Sequence, residues 1–90
     1  MKPTFSDTTR LAKLEQQDYH CCVCDIRTGL TPHHVLENRP YNRKIYGDLI
    51  QDIRNCFWCC QYHHDHHPTW DTEIKAKLEE TFKQELIEQG

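Results

Sequence analysis

Asn55-Cys56-Phe57-Trp58-Cys59-Cys60-Gln61-Tyr62-His63-His64 places three cysteines, two histidines and two carboxamides within ten residues. Two ligand registers are written into it. Cys56-x2-Cys59 and Cys60-x2-His63 each bring two donors onto one ion, and either completes a tetrahedral zinc site with the upstream knuckle Cys21-x2-Cys24. Spacing alone does not choose between them. The pair His33-His34 and Asn55, five residues before Cys60, supply a second, imidazole-rich set. A thiolate-rich set suits a closed structural zinc, whereas imidazoles beside an amide leave an ion open to water and phosphate.

The chain around this stretch is short of core. Ninety residues with six cysteines among the apolar positions make one small domain. A domain of this size buries only about 60% of its unfolded surface, so a metal or disulfides must staple it. No apolar run has the length of a signal peptide or membrane span, and residues 1–10 are polar. These features predict a cytoplasmic protein, where a reducing milieu turns cysteine spacings into metal ligands before disulfides. The net charge of -3 excludes a uniformly basic nucleic-acid binder. Its distribution matters more: residues 71–90 carry six acids and three bases, and residues 1–70 carry eight of each. Local basic clusters in the first seventy residues are therefore free to meet a polyanion.

Ser6 before Asp7, with Leu11, Ala12 and Leu14, predicts a capped N-terminal helix from about Asp7 to Gln17, leaving the first five residues as a tail. Cys22 is the odd thiol of its knuckle and reads as a small buried side chain. Gly29 and Pro32 mark a turn that delivers residues 33–36 as a short strand. Neighbouring strand residues face opposite ways, so His33 and His34 divide into a ligand and a base. Ile45, Leu49, Ile50 and Ile53 have helix-like spacing, and Phe57 and Trp58 form an apolar patch expected in the core. Arg39, Arg43 and Lys44, interleaved with Tyr41 and Tyr46, are the candidate phosphate contacts, set against an ordinary solvated loop and helix face. Ile74, Leu78, Phe82 and Leu86 describe a C-terminal helix over about 72–88, ending near Gly90 and capped by Asp71.

Over residues 19–67 the order Tyr19, Cys21-x2-Cys24, His33-His34, Asn55, Cys60-x2-His63, His64 resembles the zinc-containing HNH, or ββα-metal, endonuclease family in its small stand-alone, phage-like form. Members commonly place Cys-x2-Cys-His at the second knuckle, and here His63 stands where the last Cys would be. The resemblance implies an α+β fold: a ββα-metal domain pinned by a structural zinc on Cys21, Cys24, Cys60 and His63, flanked by N- and C-terminal helices. It implies a catalytic divalent cation held by His33 and by His64, with His67 and then His66 as the alternatives, and His34 as general base. Asn55, with Asn38 and Asn42 as rivals, would hold the His34 ring in line through a hydrogen bond to the backbone.

The activity implied is hydrolysis of DNA phosphodiesters, nicking one strand and leaving 5′-phosphate and 3′-hydroxyl ends. Imidazole meets the need for a base that is neutral at working pH. Magnesium, manganese, nickel and zinc are the catalytic ions to consider, imidazole accepting magnesium least well. The partners implied are DNA and, as an open alternative, a larger DNA-processing protein. The competing reading is a zinc-stapled DNA- or protein-binding module without catalysis.

Overall fold

The computed structural model describes residues 4–89, so the expected helix end near Gly90 and the first three residues of the expected tail lie outside it. Helix α1 spans Asp7–Gln16, strand β1 Thr31–His34, helix α2 Pro40–Tyr46, strand β2 Cys56–Cys59, helix α3 Gln61–Asp65 and helix α4 Pro68–Gln89. Two 3-10 turns, Gly47–Gln51 and Ile53–Asn55, join α2 to β2. The result is a small α+β fold: a two-stranded antiparallel sheet between an N-terminal helix and a long C-terminal one. Among the described residues no helix is long and apolar enough to cross a membrane.

Helix α1 begins where its cap residue dictates, the Ser6 hydroxyl accepting the Thr9 N–H at 3.1 Å. Asp18 and Tyr19 end it with φ of 54° and 59°, and the Tyr19 N–H reaches back to the Leu14 carbonyl. The chain then turns sharply into the first knuckle. Gln17, at the helix end, lies along the sheet edge: its amide oxygen accepts the Trp58 N–H and its amide nitrogen donates to the Trp58 carbonyl, both at 2.9 Å. Trp58 Nε1 donates to the Arg10 carbonyl, fixing the other end of α1 to β2.

The strands pair in the register Thr31 with Cys59, Pro32 with Trp58, His33 with Phe57 and His34 with Cys56. Pro32, which has no N–H, sits opposite a residue whose own backbone groups are taken by Gln17, so the ladder loses nothing there. Strand β1 runs two residues earlier than residues 33–36. Beyond His34 the ladder passes to Asn55, whose backbone carbonyl accepts the Val35 N–H and whose side chain takes over Leu36.

That side chain is fully buried. Asn55 Oδ1 accepts the Leu36 N–H at 2.6 Å, while Nδ2 donates to the carbonyls of Leu36 at 3.0 Å and Ile50 at 2.9 Å. Three backbone groups that would otherwise be orphaned at the strand end are thereby satisfied.

Two apolar clusters flank the sheet. One joins Val35, Leu36, Tyr46 and Ile50 to Leu78 and Phe82 of α4, with Leu49, Phe57, Ile74 and Leu86 packed against it. The other gathers Cys21, Cys59 and Cys60 with Leu30 and Trp70. Phe57 and Trp58 are only half-buried, Lys13 lying over the Phe57 ring at 4.2 Å and the Trp58 indole N–H reaching the Arg10 carbonyl of α1. Ile45 stays exposed despite its helical spacing, since α2 ends at Gly47, whose φ of 59° and ψ of -133° start a new turn. The expected tail is also corrected: Phe5 is buried, its ring stacked on His34.

Replacing Asn55 with Ala strips partners from three buried backbone groups, so Asn55→Ala is expected to cost about 2–4 kcal/mol in chemical denaturation. Asn55→Asp keeps the acceptor for Leu36 but aims a carboxylate at two carbonyls, and should destabilise comparably.

Candidate metal centres

The first centre lies where the two knuckles meet. The donors of Cys21, Cys24, Cys60 and His63 all fall within 4.8 Å of one another. Cys24 Sγ is 3.9 Å from Cys60 Sγ, and His63 Nδ1 is 3.7 Å from Cys21 Sγ and 3.2 Å from Cys60 Sγ. Tetrahedral zinc with Zn–S bonds of about 2.3 Å requires sulfurs about 3.8 Å apart and sulfur–nitrogen pairs slightly closer. The donor set therefore fits a structural zinc, and of the two registers it is Cys60 and His63 that join the first knuckle.

The local structure explains the selection. Cys60 precedes α3 and His63 falls within its first turn, so the helix brings both donors round to one side. Cys56 and Cys59 belong to β2, and their thiols are pushed up to about 11 and about 12, burial being the largest cause for each. Burial likewise raises the half-buried Cys22 to about 12. Cys21 behaves oppositely. Burial alone would raise it, but N–H groups of Cys60, Val23 and Cys24 bring it down to about 6, the thiolate a metal needs. Cys24 moves up, the backbone hydrogen bond at Ile26 being outweighed by burial and by its thiol neighbours Cys21 and Cys60. His20, not singled out by sequence, ties the knuckle through Nδ1 to the carbonyls of Cys21 at 2.6 Å and Cys24 at 3.2 Å.

The second centre is an open cleft of about 520 Å³ lined by His33, His34, Glu37, Asn38, Arg39, His64 and His67. His33 and His34 leave β1 on opposite sides, as strand alternation requires. His33 meets His64 edge-on at 5.5 Å between ring centres, His67 at 4.8 Å and Trp70 at 5.6 Å. Burial lowers its pKa, which favours the neutral ring a metal needs. His34 stacks on Phe5 at 3.8 Å, and its Nε2 lies 2.9 Å from Gln51 Oε1. Gln51 Nε2 points to Asn38 Oδ1, which also accepts from Arg43, so the amide presents its oxygen to the imidazole. The His34 ring can therefore donate an Nε2–H to that oxygen.

Asp71 is where sequence reasoning misassigned a residue. Helix α4 starts at Pro68, with proline in a first-turn position that needs no N–H, so Asp71 is inside the helix and caps nothing. Its buried carboxylate turns to the cleft, Oδ2 lying 2.9 Å from His33 Nε2 and 3.0 Å from His67 Nδ1. The i, i+4 spacing of His67 and Asp71 was the available signal. His66 turns away, stacked on Tyr62, and Asn42 is buried against the Glu37 carbonyl. Asn55 does not line the cleft; it holds the backbone two residues after His34.

The three basic residues do not form one surface. Arg39 lines the cleft and pairs with Glu37, Arg43 is committed to the Asn38 carbonyl and side chain, and Lys44 borders a different groove with Leu86 and Gln89. Compared with protein-family models, with curated proteins and with solved structures, the chain gives no match.

If the knuckle donors hold zinc, Cys60→Ser should lose it and melt well below the parent, whereas Cys56→Ser and Cys59→Ser should retain one equivalent by elemental analysis. Zinc lost from Cys59→Ser and kept by Cys60→Ser would reverse the register.

Proposed function

We propose that this chain is a metal-dependent DNA endonuclease of the ββα-metal type, in which β1, β2 and α3 form the catalytic unit. The observation that carries the reading is the cleft itself, where one strand end delivers His33 towards His64 and His67 and delivers His34 to the neighbouring wall. A zinc staple alone has no use for that second set.

A divalent cation held in this cleft by His33 and His67, with His64 on the adjoining wall, would supply positive charge to the scissile phosphate and the leaving 3′ oxygen. The residues around it do the rest. His34 accepts a proton from the attacking water, and the Gln51 carboxamide orients its ring. Phe5 fixes the ring plane and offers a π face to the imidazolium once the proton has moved. Asn55 anchors the backbone beyond His34, so the ring cannot drift as the strand end flexes. Arg39 at the rim is the basic residue best sited for a phosphate flanking the cut.

A second reading, a zinc-stapled binding module, draws support from Tyr19, Val23 and Ile26, all more than two-fifths exposed around the first knuckle. The two readings separate on His34. His34→Ala should keep zinc, fold and bind DNA, yet nick supercoiled plasmid at least about a hundredfold more slowly, and added metal should not restore the rate. A parent that nicks nothing with any of magnesium, manganese, nickel or zinc leaves the binding module standing.

DNA affinity tests the rim separately. Arg39→Ala should weaken binding evenly across sequences and reduce the salt slope by about one, whereas Lys44→Ala should leave the slope unchanged.

A further inference from the structure

Asp71 is the least expected residue beside the cleft, where its carboxylate meets two of the lining histidines. Its side chain is only 6% exposed, and a carboxylate so withdrawn from water needs a positive charge or a metal beside it. Among the described residues its carboxylate pairs with His33 and His67, and with no Lys or Arg. A single oxygen, Oδ2, faces both imidazole nitrogens, at 2.9 and 3.0 Å. The three donors lie within 4.8 Å of one another, and His64, which lines the same cleft, stands outside that set.

The arrangement is built by two elements. His67 and Asp71 lie four apart where α4 begins, the Asp71 N–H bonding the His67 carbonyl at 2.9 Å, so both side chains share one face. Strand β1 brings His33 against them, and Trp70 packs on the His33 ring from the side. Around a six-coordinate ion with bonds of about 2.1 Å, adjacent donors are about 3.0 Å apart, the spacing found on either side of Oδ2.

We propose that Asp71 is itself a metal ligand, and that His33 Nε2, His67 Nδ1 and Asp71 Oδ2 form a two-histidine, one-carboxylate site for a divalent first-row ion, with His64 outside the ligand set. This rests on reading the cleft as a metal centre, but not on the nuclease activity. The carboxylate supplies the hard oxygen that an all-imidazole site lacks, so manganese is accepted alongside nickel and zinc. It also removes one unit of the ion's charge while the imidazoles remain neutral.

Manganese is the probe of choice because its preference for oxygen donors keeps it from the thiolate cluster. Zinc-loaded protein titrated with manganese chloride, with free Mn²⁺ followed by electron paramagnetic resonance, should bind one manganese beyond its zinc. Asp71→Asn and His67→Ala should each weaken that binding at least about tenfold, while His64→Ala should leave it unchanged.

A carboxylate that only oriented the two rings would also weaken binding when removed, so a second variant decides. Zinc-loaded Asp71→Cys given one equivalent of nickel should show a thiolate-to-nickel charge-transfer band that the parent with the same nickel lacks. The ligand assignment is overturned if the parent takes up no manganese, if Asp71→Asn binds as tightly as the parent, or if Asp71→Cys binds nickel without the band. Manganese bound through this set by a chain that nicks no plasmid sinks the nuclease reading alone. Plasmid nicked by a chain in which Asp71→Asn binds manganese normally sinks only this one.

Discussion

Three sulfurs and an imidazole nitrogen within 4.8 Å of one another are tolerable only with a cation between them or with protons shared among them. Everything else in the chain is arranged about that constraint. The cluster ties residues 21–24, just after α1, to residues 60–63, at the head of α3, closing a loop of nearly forty residues. Inside that loop lie the sheet, α2 and the 3-10 turns. With an apolar core as slight as that between Ile50, Leu78 and Phe82, a zinc bound in the cluster would supply much of what makes the fold single-valued.

The knuckle also sets the geometry of the cleft. His63 and His64 are neighbours on a five-residue helix that is too short to persist by itself. Trp70 ties that helix to α4, its indole N–H donating to the His63 carbonyl at 2.8 Å while its ring packs edge-on against His33. The cluster and the cleft thus share a frame: what fixes His63 on one side fixes the positions of His64 and His67 on the other. From the strand side, Asn55 gives His33 and His34 a fixed departure point. A carboxamide buried for this purpose is better than an apolar residue because it satisfies donor and acceptor at once.

Local signals were read well and distant ones were not. The start of α1 was legible because Ser6 caps it with its own hydroxyl, a contact spanning three residues. Strand alternation separated the directions of His33 and His34 before any coordinates, and the Cys60 and His63 register followed from what resembles a family pattern. The failures concern contacts made at long range. Nothing local says that Phe5 will travel to His34, so it read as tail. Asp71 carries the composition of a helix cap, and its true surroundings appear only when β1 is laid against α4. The helix was expected from about residue 72, whereas it opens at Pro68, a proline being at home in the first turn of a helix. Ile45 fits an apolar period that the backbone abandons two residues later, at Gly47.

The Gln17 side chain lies along the outer edge of β2 and exchanges two hydrogen bonds with Trp58, as a third strand would over one residue. It is a counterfeit neighbour. A two-stranded sheet is the kind that recruits partners through its open backbone groups, whether extended peptides or copies of itself. Any such recruit at Trp58 would first have to evict an amide already held by the His20 carbonyl and by the end of α1. The same few atoms that seat the helix therefore make the molecule a poor template for its own polymerisation along this edge.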